Sequence, residues 1–355
     1  MAAAIVAATS LLAAQNRPAG TSNPLSGPLT AATQRPVLGG RFEHLRVAGQ
    51  VHLFAGTGAN VVVQAGDEGA VFVDTSVATA SEQLLAEIAR LTTRPIRYVI
   101  NTSADADHVG GNDAIATAGR NFATPAPNMA GVGARAAGGG GGIGRTAGAQ
   151  VYAHEAVLNR MSGATTGGQG AVAFGLWPSD TFFTMKKTLY FNSEPIELLH
   201  QPAAHTDGDV MVWFRTSDVI AAGDVYTPDR FPLIDLARGG SVQGMLDALN
   251  RIIDITVPRF NQQGGTLVVG GHGRIANESD VVEYRDMTTI VRDRILAMIS
   301  KGMTLEQVRA ANPVLDYEGI YGAGTGTWTT DMFVTAVYRD VSRLRATPAG
   351  QGQRQ

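Results

Sequence analysis

The sequence predicts an α/β (α+β) fold, a four-layer αββα sandwich in which two β-sheets pack face to face between outer helices. One observation is that runs rich in β-branched residues alternate with amphipathic helical segments. Another is that the order of strands, helix, strand, polar loop and helix occurs roughly twice, without a close sequence repeat. The third is composition, because 355 residues with 44% apolar and 17% charged side chains indicate a globular chain with a sizeable core.

The first half of the chain begins near Arg41 and supplies one of the two sheets. Its predicted strands cover residues 47–54, 60–64, 70–74, 97–100 and 151–154. A helix starts at Ser81, and its apolar face consists of Leu84, Leu85, Ile88 and Leu91. Further helices are predicted at 112–118 and 155–161, and a polar loop precedes residue 112.

The second half supplies the other sheet and most of the helical layer. Its predicted strands cover residues 189–192, 196–200, 210–214, 219–222 and 266–269. Its predicted helices cover 242–255, 281–299, 305–311 and 332–344. The longest of them, 281–299, is amphipathic, which is typical of a helix that covers the outer face of a sheet.

Three regions are predicted along the chain. Residues 1–40 combine an alanine-rich apolar run with a polar stretch, which predicts a secretory signal and a periplasmic or secreted protein, although a basic start is missing. The alternative is a low-complexity tail on a cytoplasmic protein. Residues 41–300 form the main domain, with a Gly-rich insertion at 126–148 that is either a surface loop or a flap over the site. Residues 301–355 form a C-terminal helical extension and tail.

Charge and cysteine content exclude several classes of function. The net charge is −3 and no basic run is present, so the sequence predicts no nucleic-acid partner. It contains no uninterrupted apolar stretch of the ~18 residues that a membrane span needs. Because cysteine is absent, disulfides, thiolate metal sites and cysteine nucleophiles are excluded. A small-molecule substrate is therefore the predicted partner, and the oligomeric state stays open.

Three of the seven histidines lie in polar or Gly-containing loops close after predicted strands: His108, His205 and His272. Asp224 follows the strand at 219–222 in the same way. Loops at strand ends are where α/β proteins place ligands, and an adjacent glycine allows close approach. Imidazole and carboxylate together suit Zn²⁺, while an oxygen-rich set also admits Mn²⁺ or Fe²⁺. The pattern predicts a metal site.

This ordered set resembles the metallo-β-lactamase superfamily, whose usual signature is H-x-H-x-D-H, followed by a distant His, an Asp or Cys, and a final His. The resemblance covers roughly residues 47–299. The sequence around the signature, Asn-Thr before it and Val-Gly-Gly-Asn after it, fits as well. So does the Val-Phe-Val-Asp segment ending at Asp74, ahead of the first helix. The fold that the resemblance implies is the same αββα sandwich.

The chain departs from this family pattern at the first two histidines, where Ser103 and Asp105 give S-x-D-x-D-H. The resemblance implies a first metal position made by Ser103, Asp105 and His205. It implies a second position made by Asp107, His108 and His272, with Asp224 as a bridging carboxylate. The second position keeps the usual ligands of a catalytic zinc site, whereas a serine hydroxyl is a poor ligand. We therefore expect one tightly bound metal, Zn²⁺ before Mn²⁺ or Fe²⁺, and a second that is weak or absent.

The function that this resemblance implies is metal-dependent hydrolysis, in which metal-bound hydroxide attacks an ester, lactone, lactam or phosphoester. The candidate catalytic residues are Asp107, Asp105, which could hold the water, and His205, which could donate to an oxyanion or act as a base. β-Lactamase activity is one of the reactions that this class includes. One alternative is a non-catalytic or weakly catalytic binding protein with a degraded first metal position. Another is redox or sulfur chemistry on an iron centre.

Several other residues have two interpretations in the sequence. His154 and His200 are either structural or border the pocket. Four aromatic residues in predicted loops either pack in the core or line an apolar pocket: Trp177, Phe182, Phe183 and Tyr226.

Overall fold

The computed structural model describes residues 41–122, 148–164, 171–256 and 265–346. The predicted N-terminal segment 1–40, nearly all of the Gly-rich insertion 126–148 and the tail 347–355 lie outside the described residues. Within the described ranges, two sheets pack face to face and helices cover both outer faces. The prediction of a four-layer αββα sandwich is confirmed.

The first sheet contains seven of the described strands, in an order that follows the chain. They are β1 (Glu43–Ala48), β2 (Val51–Ala55), β3 (Val61–Gly66), β4 (Gly69–Val73), β5 (Ile96–Ile100), β6 (Gln150–His154) and β7 (Asp180–Phe182). Pairing is antiparallel from β1 to β4 and parallel from β4 to β7. Parallel neighbours require crossover connections, which here contain the helices α1 (Ser81–Leu91), α2 (Ala106–Val109), α3 (Asn112–Ala118) and α4 (Glu155–Met161).

The prediction of one strand over residues 47–54 is wrong, because the chain reverses there. Gly49 has φ +53°, a left-handed conformation that glycine adopts without steric cost, and Ala48 pairs with Val51 across the turn. The segment therefore forms the hairpin of β1 and β2. Strand β7 and helix α2 were not predicted from the sequence.

The second sheet has the order β13-β12-β11-β10-β9-β8 among the described residues. Its strands are β8 (Lys186–Phe191), β9 (Glu194–Gln201), β10 (Asp209–Phe214), β11 (Val219–Gly223), β12 (Leu267–Gly270) and β13 (Ile275–Ala276). Only β11 and β12 pair in parallel, and the helix α5 (Val242–Thr256) connects them. The remaining helices are α6 (Glu278–Ser300), α7 (Leu305–Ala310), α8 (Glu318–Tyr321) and α9 (Thr330–Ala346).

Three apolar layers hold the sandwich together. Side chains of both sheets, such as Leu53 and Val212, fill the layer between them. On the outer face of the first sheet, Phe72 packs with the α1 residue Leu84. On the outer face of the second, residues from α5, α6 and α9 share one cluster. Each fully buried side chain of this kind contributes roughly 1.5–3 kcal/mol, so the helices are fixed mainly by this packing.

The C-terminal helices belong to the same packed unit as the rest of the described chain. Val308 in α7 and Phe333 in α9 are fully buried in the cluster that covers the second sheet. The residues described here include no helix that is both long enough and apolar enough to cross a membrane.

Candidate metal centre

The candidate ligands come together at the ends of four strands. Asp105, Asp107 and His108 follow β5, Asp224 follows β11 directly, and His272 follows β12. His205 lies in the turn between β9 and β10. Asp107 and His108 are in α2, not in an irregular loop as predicted, and Asp105 is the residue that precedes this helix. The short helix turns both side chains toward the same point.

Asp107, His108 and His272 form one group, in which the ligand atoms all lie within 4.8 Å of one another. The Nε2 atom of His272 lies 3.2 Å from Oδ2 of Asp107. Asp224 stands beside this group, with Oδ2 at 3.4 Å from Nε2 of His108 and Oδ1 at 3.7 Å from Nε2 of His272. These are the residues that the resemblance implies for the second metal position, together with its bridging carboxylate.

The orientation of His108 depends on Asp74, a residue that the sequence interpretation left without a role. Nδ1 of His108 lies 2.7 Å from Oδ2 of Asp74, so the other ring nitrogen, Nε2, faces the group. Thr102 donates its backbone N–H and its hydroxyl to the same carboxylate at 2.8 Å and 2.6 Å. A carboxylate that orients a ligating imidazole is a regular part of metal sites. The signal was an acidic residue directly after a buried strand.

Buried polar atoms without a hydrogen-bond partner indicate that these residues suit a cation. Nε2 of His108, Nδ1 of His205 and Oδ1 of Asp224 are buried and have no hydrogen-bond partner among the described residues. An unsatisfied buried polar atom costs ~1–3 kcal/mol, so three of them in one place need an explanation. A divalent metal held by Asp107, His108 and His272, with Asp224 beside them, would coordinate the His108 and Asp224 atoms and remove their cost, whereas Nδ1 of His205 belongs to the adjoining group. The residues present therefore fit a metal ion.

A second group of Asp105, His205 and Asp224 adjoins the first, again with ligand atoms within 4.8 Å of one another. Oδ2 of Asp105 is 3.6 Å from Nδ1 of His205. Ser103 is fully buried and its hydroxyl oxygen accepts the backbone N–H of Asp105 at 3.2 Å. The other carboxylate oxygen of Asp105, Oδ1, is in an ion pair with Arg238. The first position thus contains a guanidinium that the sequence interpretation did not include.

The electrostatics of the site favour positive charge. Burial opposes protonation of His205, but the carboxylates of Asp209, Asp224 and Asp105 outweigh it and raise the His205 pKa to about 9. The pKa of His108 also rises well above its ordinary value, because Asp224 and Asp74 outweigh its burial. Burial likewise opposes ionisation of Asp224, yet the surrounding histidines hold its pKa far below the usual range. Metal and proton would therefore compete for these atoms.

A cavity of about 950 Å³ opens onto both groups. Its lining includes residues of the segment 230–238 and residues of the C-terminal region between 327 and 339. This cavity has apolar walls that include Leu233, Leu236, Trp328 and Met332. Its floor includes Asp107 and His272, which are both half-buried. Volume and lining suit a small molecule with an apolar part. A separate cavity of about 660 Å³, at the edge of the first sheet near His52, contains none of the candidate ligands.

The four aromatic residues do not line the cavity at the metal groups. Tyr226 and Phe182 are buried in the core, Trp177 packs beside Val157, and Phe183 is exposed. His154 and His200 stack on each other with ring centroids 3.5 Å apart and lie outside this cavity. The structural interpretation of both histidines therefore fits better.

The stacked histidines predict a loss of stability in mild acid. Burial, and then the neighbouring His200, lower the pKa of His154 from 6.5 to about 4, so the folded chain resists protonation. As pH falls from about 7 toward 4, the unfolded chain takes up this proton first, and the free energy of unfolding declines across that window. His154→Asn should weaken this dependence while retaining an acceptor for the N–H of Ala156. Urea unfolding at pH 7 and pH 5 tests it, and equal pH dependence in both proteins would contradict it.

Gly271 is a further position that the site requires. A Cβ atom there would overlap Oδ1 of Asp224 and lie 2.9 Å from the carbonyl carbon of Gly223. Gly271→Ala should therefore displace the Asp224 carboxylate and lower metal affinity by about 10-fold or more. Gly319→Ala is the matched control, because nothing lies within 4 Å of its added Cβ. Competition with a chromophoric chelator measures the affinities, and equal values for both variants would count against this role of Gly271.

Comparison with known proteins gives one family match and several structural ones. Residues 55–122 match the family model described as Metallo-beta-lactamase superfamily. This range contains the candidate ligands Ser103, Asp105, Asp107 and His108 as well as Asp74, and it ends before His205, Asp224 and His272. No curated protein sequence matches the chain.

Among solved structures, the chain is similar to the stereoselective inverting sec-alkylsulfatase Pisa1 from Pseudomonas sp., with 17% identity and a TM-score of 0.59. The match covers 86% of this chain and 52% of that one, so the chain spans about half the length of the sulfatase. A double mutant of that sulfatase gives 16% identity, a TM-score of 0.58 and the same coverage. A metallo-beta-lactamase from Pontibacter korlensis gives 16% identity and a TM-score of 0.49, covering 70% of this chain and 99% of that one.

Proposed function

From the metallo-β-lactamase fold of this chain, we propose that it is a metal-dependent hydrolase of a small ester, lactone, lactam or phosphoester. The observation that carries the proposal is the convergence of Asp107, His108 and His272 at the cavity, which Asp107 and His272 line while His108 is buried behind them. Three protein ligands with an open side are typical of a catalytic metal site, whereas structural zinc sites are closed by four. The open side here faces the cavity and not the core.

We propose zinc as the metal and a single tight position for it. Two imidazoles and a carboxylate suit Zn²⁺, with Asp224 available as a further oxygen ligand. Mn²⁺ and Fe²⁺ remain alternatives because the whole cluster is rich in oxygen atoms. The adjoining position offers only one imidazole, in His205, beside the hydroxyl of Ser103 and a carboxylate that Arg238 already engages.

Three side chains of this protein, Asp107, His205 and Asp105, have separate roles in the proposed hydrolysis. When bound, a divalent metal supplies a Lewis acid and makes water acidic enough to ionise near neutral pH. Asp107, whose side chain is 37% exposed, meets the cavity and can take the proton of the attacking water. Nδ1 of His205 is buried and unpartnered, so it can donate to an oxygen that becomes negative in the transition state. Asp105 orients water through Oδ2, the oxygen that faces His205.

The test is hydrolysis by the chain before and after metal removal. Purified protein is assayed against a β-lactam, a lactone, a carboxylic ester, a phosphodiester and a secondary alkyl sulfate, then stripped with chelator and reloaded with Zn²⁺. We expect turnover of at least one substrate, loss of it on stripping and recovery on reloading. Turnover that persists without metal would contradict the proposal.

Two other functions correspond to other outcomes of the same experiment. A chain that binds no metal and turns over nothing would support a binding protein with a degraded site. Iron in the protein as isolated, with colour, would support redox or sulfur chemistry. The three converging ligands favour a metal enzyme over a binding protein. Two imidazoles and one carboxylate suit Fe²⁺ as well as Zn²⁺, so the metal content separates redox chemistry from hydrolysis.

A further inference from the structure

Arg238 lies beside the first metal position and is held there by its own turn. Its guanidinium contacts Oδ1 of Asp105 and lies 2.6 Å from Oδ2 of Asp235. Asp235 in turn accepts the backbone N–H groups of Ala237 and Arg238, each at 3.0 Å. Two carboxylates therefore fix the guanidinium, and one of them is a candidate metal ligand.

This turn is also joined to the loop that contains His205. The backbone N–H of Asp235 donates to the carbonyl of His205 at 2.9 Å, and that of Asp207 donates to the carbonyl of Arg238 at 2.9 Å. Gly239 closes the turn with φ +84°. Arg160 contacts both the carbonyl of Arg238 and the carboxylate of Asp207. These hydrogen bonds therefore hold Arg238 in a fixed position relative to the imidazole of His205.

A fixed guanidinium changes what the first position can bind. It neutralises Asp105 and uses one of its two oxygens, which leaves Oδ2 beside Nδ1 of His205. A divalent ion there would be close to a permanent positive charge in a largely buried site, where like charges repel more strongly than in water. Its remaining ligands would be a serine hydroxyl and Asp224, which the second position also uses.

We propose that Arg238 is the resident cation of the first position and that it limits this chain to one tightly bound metal. The guanidinium neutralises the charge of Asp105 in place of a metal ion. Ser103 and Asp105 are therefore residues suited to an arginine at this position. This inference rests on the proposed function only in requiring that the second position binds metal. Arg238 affects metal binding through its ion pair with Asp105, so it is a positioning residue.

The test is a titration of metal-stripped protein with Zn²⁺, read by calorimetry and by elemental analysis after dialysis. Wild type, Arg238→Gln, Arg238→Lys and Arg309→Gln are compared. Arg309 lines the same cavity but pairs with Asp331, so its variant is the matched control for losing one positive charge. Circular dichroism verifies that each variant is folded.

We expect one tight equivalent in wild type, in Arg238→Lys and in Arg309→Gln. Arg238→Gln should bind a second equivalent at least about 10-fold more tightly than wild type does. An unchanged second equivalent in folded Arg238→Gln would overturn the inference. So would two equally tight equivalents in wild type, a result that does not depend on any variant folding. Wild type that binds no metal would instead refute the proposed function, so the two failures are distinguishable.

Discussion

Replacing Asp107 or His272 with alanine should remove the metal and reduce kcat/KM on the order of 10³-fold or more, because each change deletes one of three protein ligands. Both side chains reach the cavity floor and neither is part of the buried core, so the fold should survive the change. The measurements are metal content after dialysis and turnover of the substrate that the panel identifies.

The controls for these variants match them in residue type. Asp254→Ala removes an exposed carboxylate on α5, and His44→Ala removes a histidine on β1, both outside the cavity. Neither should change metal content or turnover by more than about twofold, as expected of substitutions away from the site. If Asp107→Ala and His272→Ala behaved like these controls, metal-dependent hydrolysis at this centre would be wrong.

Asp74→Asn should lower metal affinity by about 10- to 100-fold although Asp74 contacts no metal in the proposed arrangement. Its carboxylate accepts three hydrogen bonds, one from Nδ1 of His108 and two from Thr102. An asparagine amide would place an N–H group against these donors and remove the charge that orients the imidazole. Asp74 has φ +63°, a left-handed conformation that asparagine tolerates, so the backbone should be retained.

Asp218→Asn is the matched control for this substitution. Asp218 also has a left-handed backbone, with φ +57°, and its carboxylate accepts the hydroxyl of Thr266. It precedes β11 and so lies at the opposite end of this strand from Asp224. The same chemical change there should leave metal affinity as it is in wild type. Equal affinities in both variants and in wild type would show that Asp74 does not position His108.

The fold could be predicted from the sequence to a large extent, because strong periodic segments identified most elements within a few residues. Helices α3 and α4 have the predicted bounds. The hairpin at Gly49 was not predicted, because one apolar run covers both of its strands and the turn depends on a single glycine with a left-handed backbone. The short strand β7 was not predicted, because it is defined by its pairing with β6 and not by a local sequence pattern.

The candidate ligands were also visible in the sequence, since each follows a strand within a short polar segment. Arg238 was not, because it contacts Asp105 across 133 residues and stands in a turn without a recognised motif. Asp74 and Gly271 were noted only as parts of neighbouring segments. Their roles depend on which atom of which neighbour they approach, and only the folded chain determines this.

The most direct test of the central claim is elemental analysis of the chain purified without added metal, beside His272→Ala prepared in the same way. We expect about one divalent metal ion per chain in wild type, zinc before manganese or iron, and a large loss in the variant. Wild-type protein that contains no metal, or a variant that retains the wild-type amount, would contradict a metal centre at Asp107, His108 and His272.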